Sequence, residues 1–128
     1  MSNTKNRAPA ISINGKQYCI NIGRDVIRRL GFPSHVCILQ NYRKNAIAIM
    51  PCEETEVLSF RVPEGFTTDR MKKFRIYSQA LVEEILSNND LEAGCIYSLK
   101  GQHEADANAV IFYLGEIKGT SNYDAIST

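Results

Sequence analysis

Three arginines, Arg24, Arg28 and Arg29, fall within the segment INIGRDVIRRLGFP, residues Ile20 to Pro33. Guanidinium groups present a rigid fork of donors that matches phosphate oxygens, so a cluster of this kind is a candidate anion contact. Lys16, Arg43 and Lys44 add charge in two polar segments between apolar runs. A second basic run, DRMKKFR, places Arg70, Lys72, Lys73 and Arg75 around Met71 and Phe74, a mixture able to touch phosphates and stack on a base. The plainer reading of that run is a solvated loop entering a strand, with Phe74 in the core. Tyr42 beside Arg43 and Lys44 is likewise an aromatic-basic cluster or a solvated turn.

Other chemistry finds less support. The four cysteines, Cys19, Cys37, Cys52 and Cys95, are widely scattered in or beside apolar stretches, the pattern of reduced core thiols rather than of a disulfide framework. Cys37 follows His35 by two residues, but two ligands without a second nearby pair make a poor zinc site, so no metal is expected. There is no Gly-rich phosphate loop and no nucleophile motif, and His35 and His103 read as a strand-edge and a loop histidine. The expectation is a non-enzyme without a cofactor.

A chain of 128 residues with 44% hydrophobic content has the size and composition of one compact domain. No apolar run approaches the roughly 20 residues that span a bilayer, and the first residues lack the apolar centre of a secretion signal, which points to a cytoplasmic protein without membrane contact. The net charge of +1 conceals an asymmetry. Residues 1–62 carry nine Lys or Arg against four acids, and residues 63–128 six against ten. A basic half is suited to an anionic partner.

The elements that must hold the arginines can be read from periodicity. AISI and KQYCINI alternate around Asn14-Gly15, which predicts a tight hairpin with strands near 10–14 and 17–22. Val26, Ile27 and Leu30 have helical spacing, Gly31 suits the left-handed position that ends a helix, and Pro33 prevents its continuation. HVCILQN and AIAIMP follow as two strands around the turn at Arg43-Lys44-Asn45. The order β-β-α-β-β then recurs: EVLSFRVP and KFRIY as strands, SQALVEEILSNND as a helix capped by Ser78, and GCIYSLKG and NAVIFYL as strands around the polar loop QHEADA. NAVIF echoes NAIAI. Units of about 10–52 and 56–115 therefore read as a diverged duplication, with mobile tails near 1–8 and 118–128. The expected class is α+β, and the two halves are expected to bury Val26, Ile27 and Leu30 in one core with Leu81, Ile85, Val110 and Phe112.

The segment IGRDVIRRLGF resembles the AbrB/MazE-like, or SpoVT-AbrB, family of swapped-hairpin proteins over about residues 10–51. It supplies Ile22, Asp25, Val26, Arg28, Arg29 and the closing Leu30-Gly31-Phe32. Gly23 stands where the family pattern has proline, the spacing after Gly15 is longer, and both units lie in one chain. The resemblance implies a small swapped-hairpin or cradle-loop-like barrel, here a single-chain pseudo-dimer, with a homodimer as the other arrangement. It also implies a DNA-binding transcriptional regulator, with Lys16, Arg24, Arg28 and Arg29 as contacts; Arg43 and Lys44 are added from the turn reading.

Within the second unit, Arg28 and Arg29 correspond at an offset of 55 residues to Glu83 and Glu84. Carboxylates at that place repel a phosphate backbone, so a symmetric DNA grip is not expected. The alternative function is a non-catalytic protein-binding module, such as an inhibitor or an antitoxin-like partner.

Overall fold

The computed structural model describes residues 8–55, 59–64, 66 and 72–116. Arg70, Met71, the opening residues of EVLSFRVP and the terminal tails lie outside them. The first unit is β1 (Ala10–Asn14), β2 (Cys19–Gly23), α1 (Arg24–Arg29), β3 (His35–Asn41) and β4 (Ala46–Pro51). The second is β5 (Ser59–Arg61), β6 (Lys73–Tyr77), α2 (Gln79–Asn88), β7 (Ile96–Lys100), β8 (Gln102–Glu104) and β9 (Ala109–Tyr113), followed by a 3-10 turn over Leu114–Glu116. The fold is a mixed one, mostly strands, with two antiparallel sheets and two helices. No helix among the described residues is long and apolar enough to cross a membrane.

One sheet has four strands in the order β6-β2-β1-β7, and the other has five in the order β5-β3-β4-β9-β8. Both draw strands from both units. The pairings nearly repeat when the units are exchanged: β2 pairs with β6 and β4 with β9, β1 with β7 as β5 does with β3, and β3 with β4 as β8 does with β9. The exception is β1 with β2, whose counterpart between β5 and β6 is absent from the ladders of the described residues. Among the described residues the two sheets therefore do not close into a barrel.

Apolar side chains of the two sheets and both helices meet in one cluster. It contains Val26, Ile27 and Leu30 from the first helical segment, Val82, Ile85 and Leu86 from α2, and Ile47, Ile49, Val110 and Phe112 from β4 and β9. Leu81 is half-buried against it. At roughly 1.5–3 kcal/mol for each fully buried aliphatic side chain, this shared cluster is the main favourable term holding the two units together.

Three expectations require correction. The strand expected from residue 17 begins at Cys19, because Gly15 to Tyr18 form a four-residue turn closed by the Asn14 side chain, whose Oδ1 accepts from the Lys16 and Gln17 amides at 2.8 and 3.0 Å. The positive backbone angle falls on Tyr18, at φ 55, while Gly15 has its amide on the Cys95 carbonyl at 2.8 Å, where a Cβ would approach that oxygen to 2.9 Å. The loop QHEADA is partly strand: Gln102–Glu104 pair with β9, which places His103 in β8 rather than in a loop. Gly101, between β7 and β8, lets the chain pass from one sheet to the other, since a Cβ there would lie 2.7 Å from the Phe112 ring. The parallel between the units extends to backbone angles: Asn45 and Asn108, the first residues of NAIAI and NAVIF, both adopt positive φ, at 51 and 48.

Candidate nucleic-acid interface

The helix α1 is short for reasons visible in its ends. Gly31, at φ 85, and Phe32, at φ 54, turn the chain away before Pro33. Val26 and Ile27 are fully buried and Leu30 nearly so, which commits one side of the helix to the core and leaves Arg28 and Arg29 half-buried on the other. Arg28 Nη1 meets Asp25 Oδ1 at 2.6 Å, a pair one helical turn apart. Arg24 lies with its guanidinium carbon 5.2 Å from the centre of the Phe32 ring and donates from Nη1 to the Phe66 carbonyl. Its charge therefore stitches the start of α1 to the segment after β5, a positioning role that the sequence did not reveal.

The backbone amide of Arg24 donates to the Lys72 carbonyl at 2.7 Å, and Gly23 pairs with Lys73. Residues 24–29 and the pair Lys72-Lys73, far apart in sequence, are thus brought to one end of the molecule. Lys16, Arg43 and Lys44 are not part of that cluster. Lys16 sits in the turn before β2, whereas α1 follows β2, so the two lie at opposite ends of that strand. Arg43 and Lys44 are exposed at the β3–β4 tip, where the Asn41 Oδ1 accepts from the Lys44 amide at 3.1 Å.

That tip is latched to α2. Glu84 accepts from the Tyr42 hydroxyl at 2.8 Å and from Gln40 Nε2 at 3.1 Å. The hydrogen bond to Glu84 is the main cause that raises the Tyr42 pKa above its ordinary value, with desolvation and the carboxylate charge acting in the same direction. Tyr42 thus has a partner within the protein, and the carboxylate that corresponds to Arg29 is engaged by the first unit.

A further surface lies on the outside of the four-stranded sheet. Alternation buries Phe74 and Ile76 and turns Lys73, Arg75 and Tyr77 outward. Arg75 Nε donates to Asn21 Oδ1 at 2.9 Å, Asn21 Nδ2 donates to Ser12 Oγ at 3.2 Å, and Ser12 is in register with Ser98. Arg75 also donates to the Tyr77 hydroxyl at 3.1 Å, which raises its already high pKa and keeps it charged. The basic run containing Lys73 and Arg75 was visible in sequence. Its neighbours Asn21, Ser12 and Ser98 were not, because they join it only through the β2–β6 and β1–β7 registers.

The five-stranded sheet presents a different outside. Leu39 is 48% exposed, and with Ala46, Ala48, Ile111 and Tyr113 it borders a largely apolar depression of about 320 Å³ that Gln40, Asn41 and Lys44 complete. All four cysteines are thiols rather than disulfides, and Cys19, Cys37 and Cys95 are buried. Among the described residues, no group of three or more His, Cys, Asp or Glu side chains is arranged to hold a metal ion. Comparison with family models, with curated proteins and with solved structures finds no match.

Proposed function

We propose that this chain is a DNA-binding transcriptional regulator of the AbrB/MazE-like kind, acting in the cytoplasm, in which two fused units take the place of two swapped-hairpin protomers. The observation that carries the reading is the meeting of residues 24–29 with Lys72 and Lys73 at one end of the fold, through the 2.7 Å amide-carbonyl bond between Arg24 and Lys72. The near-repeat of strand pairings between units supports the pseudo-dimer. Arg28, Arg29 and Lys72 anchor the phosphate backbone of a duplex, and Arg24 fixes the helix that presents them. Phosphate contacts of this kind release condensed counterions, so binding weakens with salt. Lys16, at the other end of β2, and Arg43 and Lys44, at the β3–β4 tip, are left out of this contact.

The test is duplex binding by fluorescence anisotropy across a salt series. Replacing Arg28 and Arg29 with Ala is expected to weaken binding and reduce the slope of log affinity against log salt by up to about two phosphate contacts' worth, with the melting transition retained. Absence of salt-sensitive binding by the wild-type chain to mixed-sequence duplex at low ionic strength would contradict the regulator reading. The second reading, a protein-binding module, is favoured by the apolar outside of the five-stranded sheet around Leu39. A pull-down that retains the same partner after nuclease treatment would support it.

A further inference from the structure

We infer that the outer face of the four-stranded sheet is a separate binding site for single-stranded nucleic acid. The face has a cation on each edge strand: Arg75 on β6 and Lys100 on β7. Among the outward residues of all four strands there is no Asp or Glu, although the chain as a whole carries 14 acids. Between the edges the floor is small and polar, with Asn21, Ser12 and Ser98 in one row across the sheet. Tyr77 is 65% exposed at the β6 edge, and the Arg75 guanidinium carbon lies 5.9 Å from the centre of its ring.

Each feature matches a part of the ligand. The edge cations meet phosphates, and no carboxylate on the outward side of these four strands repels them. Tyr77 offers a ring on which a base can stack, and the polar row offers donors and acceptors to base edges. The geometry disfavours a duplex as the occupant. Four strands at about 4.8 Å spacing, with their side chains, are wider than a major groove of about 12 Å, which admits a helix or a two-stranded ribbon. Bases reach this floor only when they are unpaired. The inference does not depend on the duplex contact proposed for α1, because Arg75, Tyr77 and Lys100 are not in it.

The test uses the full chain with labelled mixed-sequence oligonucleotides of about 12 nucleotides, within the usual site-size range, as single-stranded DNA, single-stranded RNA and duplex DNA. Wild-type protein is expected to bind at least one single strand in a salt-sensitive manner. Tyr77→Ala should weaken that binding about tenfold while Tyr77→Phe preserves it, as loss of a stacking platform predicts. Arg75→Ala with Lys100→Ala should lower the single-strand salt slope by about 1.4, and duplex binding should be unchanged in all three variants. The tighter of the DNA and RNA arms identifies the natural strand. The converse variant, Arg28→Ala with Arg29→Ala, should spare single-strand binding, so the two sites fail separately. Absence of single-strand binding by folded wild-type protein, or equal affinity in Tyr77→Ala, overturns the inference.

Discussion

The helices α1 and α2 hold corresponding places in the two units and have opposite surface chemistry. The polar side of α1 carries Arg28 and Arg29, and that of α2 carries Glu83 and Glu84. Inside, both do the same work: Val26 and Ile27 of one and Val82 and Ile85 of the other are completely buried in the shared cluster. Outside, Glu84 holds Gln40 and Tyr42 of the first unit, and Glu83 accepts from Gln79 at 3.0 Å. The charge reversal thus accompanies a change of partner: Arg28 pairs with Asp25 of its own helix, whereas Glu84 reaches across to the β3–β4 tip of the other unit. The shared cluster constrains the buried face of both helices, while their outer faces can differ in chemistry.

The largest effects should come from what the helices share. Ile27→Ala and Ile85→Ala each remove a fully buried side chain from one cluster, and each should cost about 2–5 kcal/mol. Urea unfolding followed by circular dichroism is expected to show one transition moved to lower denaturant in both variants. A variant that splits the curve into two steps would show that the units are stabilised separately, against the common core.

Much of this arrangement was legible because it is local. The apolar spacing of Val26, Ile27 and Leu30 and the Gly31 stop define α1, and Ser78 before an apolar helical run defines the start of α2. The echo of NAIAI in NAVIF marked two strands, β4 and β9, that pair with each other. What escaped depends on partners distant in sequence. Arg24 had the composition of a DNA contact, but its binding to Phe66 and Phe32 depends on how a later segment folds back. Glu84 had the composition of an open acidic surface until the β3–β4 tip came against it. The cationic sheet face required the register of strands more than fifty residues apart, which alternation within each strand does not specify.

The helix starts offer a smaller test of the same contrast. Ser78 Oγ accepts from the Leu81 amide at 3.3 Å, whereas Gly23 at the start of α1 provides no side-chain cap and the Arg24 amide goes to Lys72 instead. Ser78→Ala should therefore cost about 1 kcal/mol in thermal or urea unfolding. The reciprocal change, Gly23→Ser, should give no gain, since a Cβ there would lie 2.9 Å from the Ala10 carbonyl oxygen in the adjoining strand. Stabilisation by Gly23→Ser would mean that α1 lacks only a cap and that the approach of β1 is not what selects glycine.

The smallest expected effect is a titration at the latch. The Tyr42 phenol donates to Glu84, so loss of its proton breaks that bond and places phenolate beside carboxylate, which is why its pKa is raised. The sign for stability follows: the contribution is fully present below the ordinary tyrosine pKa of about 10 and is lost as pH rises through the higher folded value. Glu84→Gln removes the carboxylate charge and should return the Tyr42 titration toward that ordinary value. Tyrosine ring carbon shifts followed by NMR separate Tyr42 from the other five tyrosines. Because Tyr42 is 58% exposed, the effect should appear in the titration with little change in the unfolding midpoint at neutral pH. An unchanged Tyr42 curve in Glu84→Gln would mean that the tip and α2 do not stay joined in solution, and α2 would then lose the contact to the other unit that sets it apart from α1.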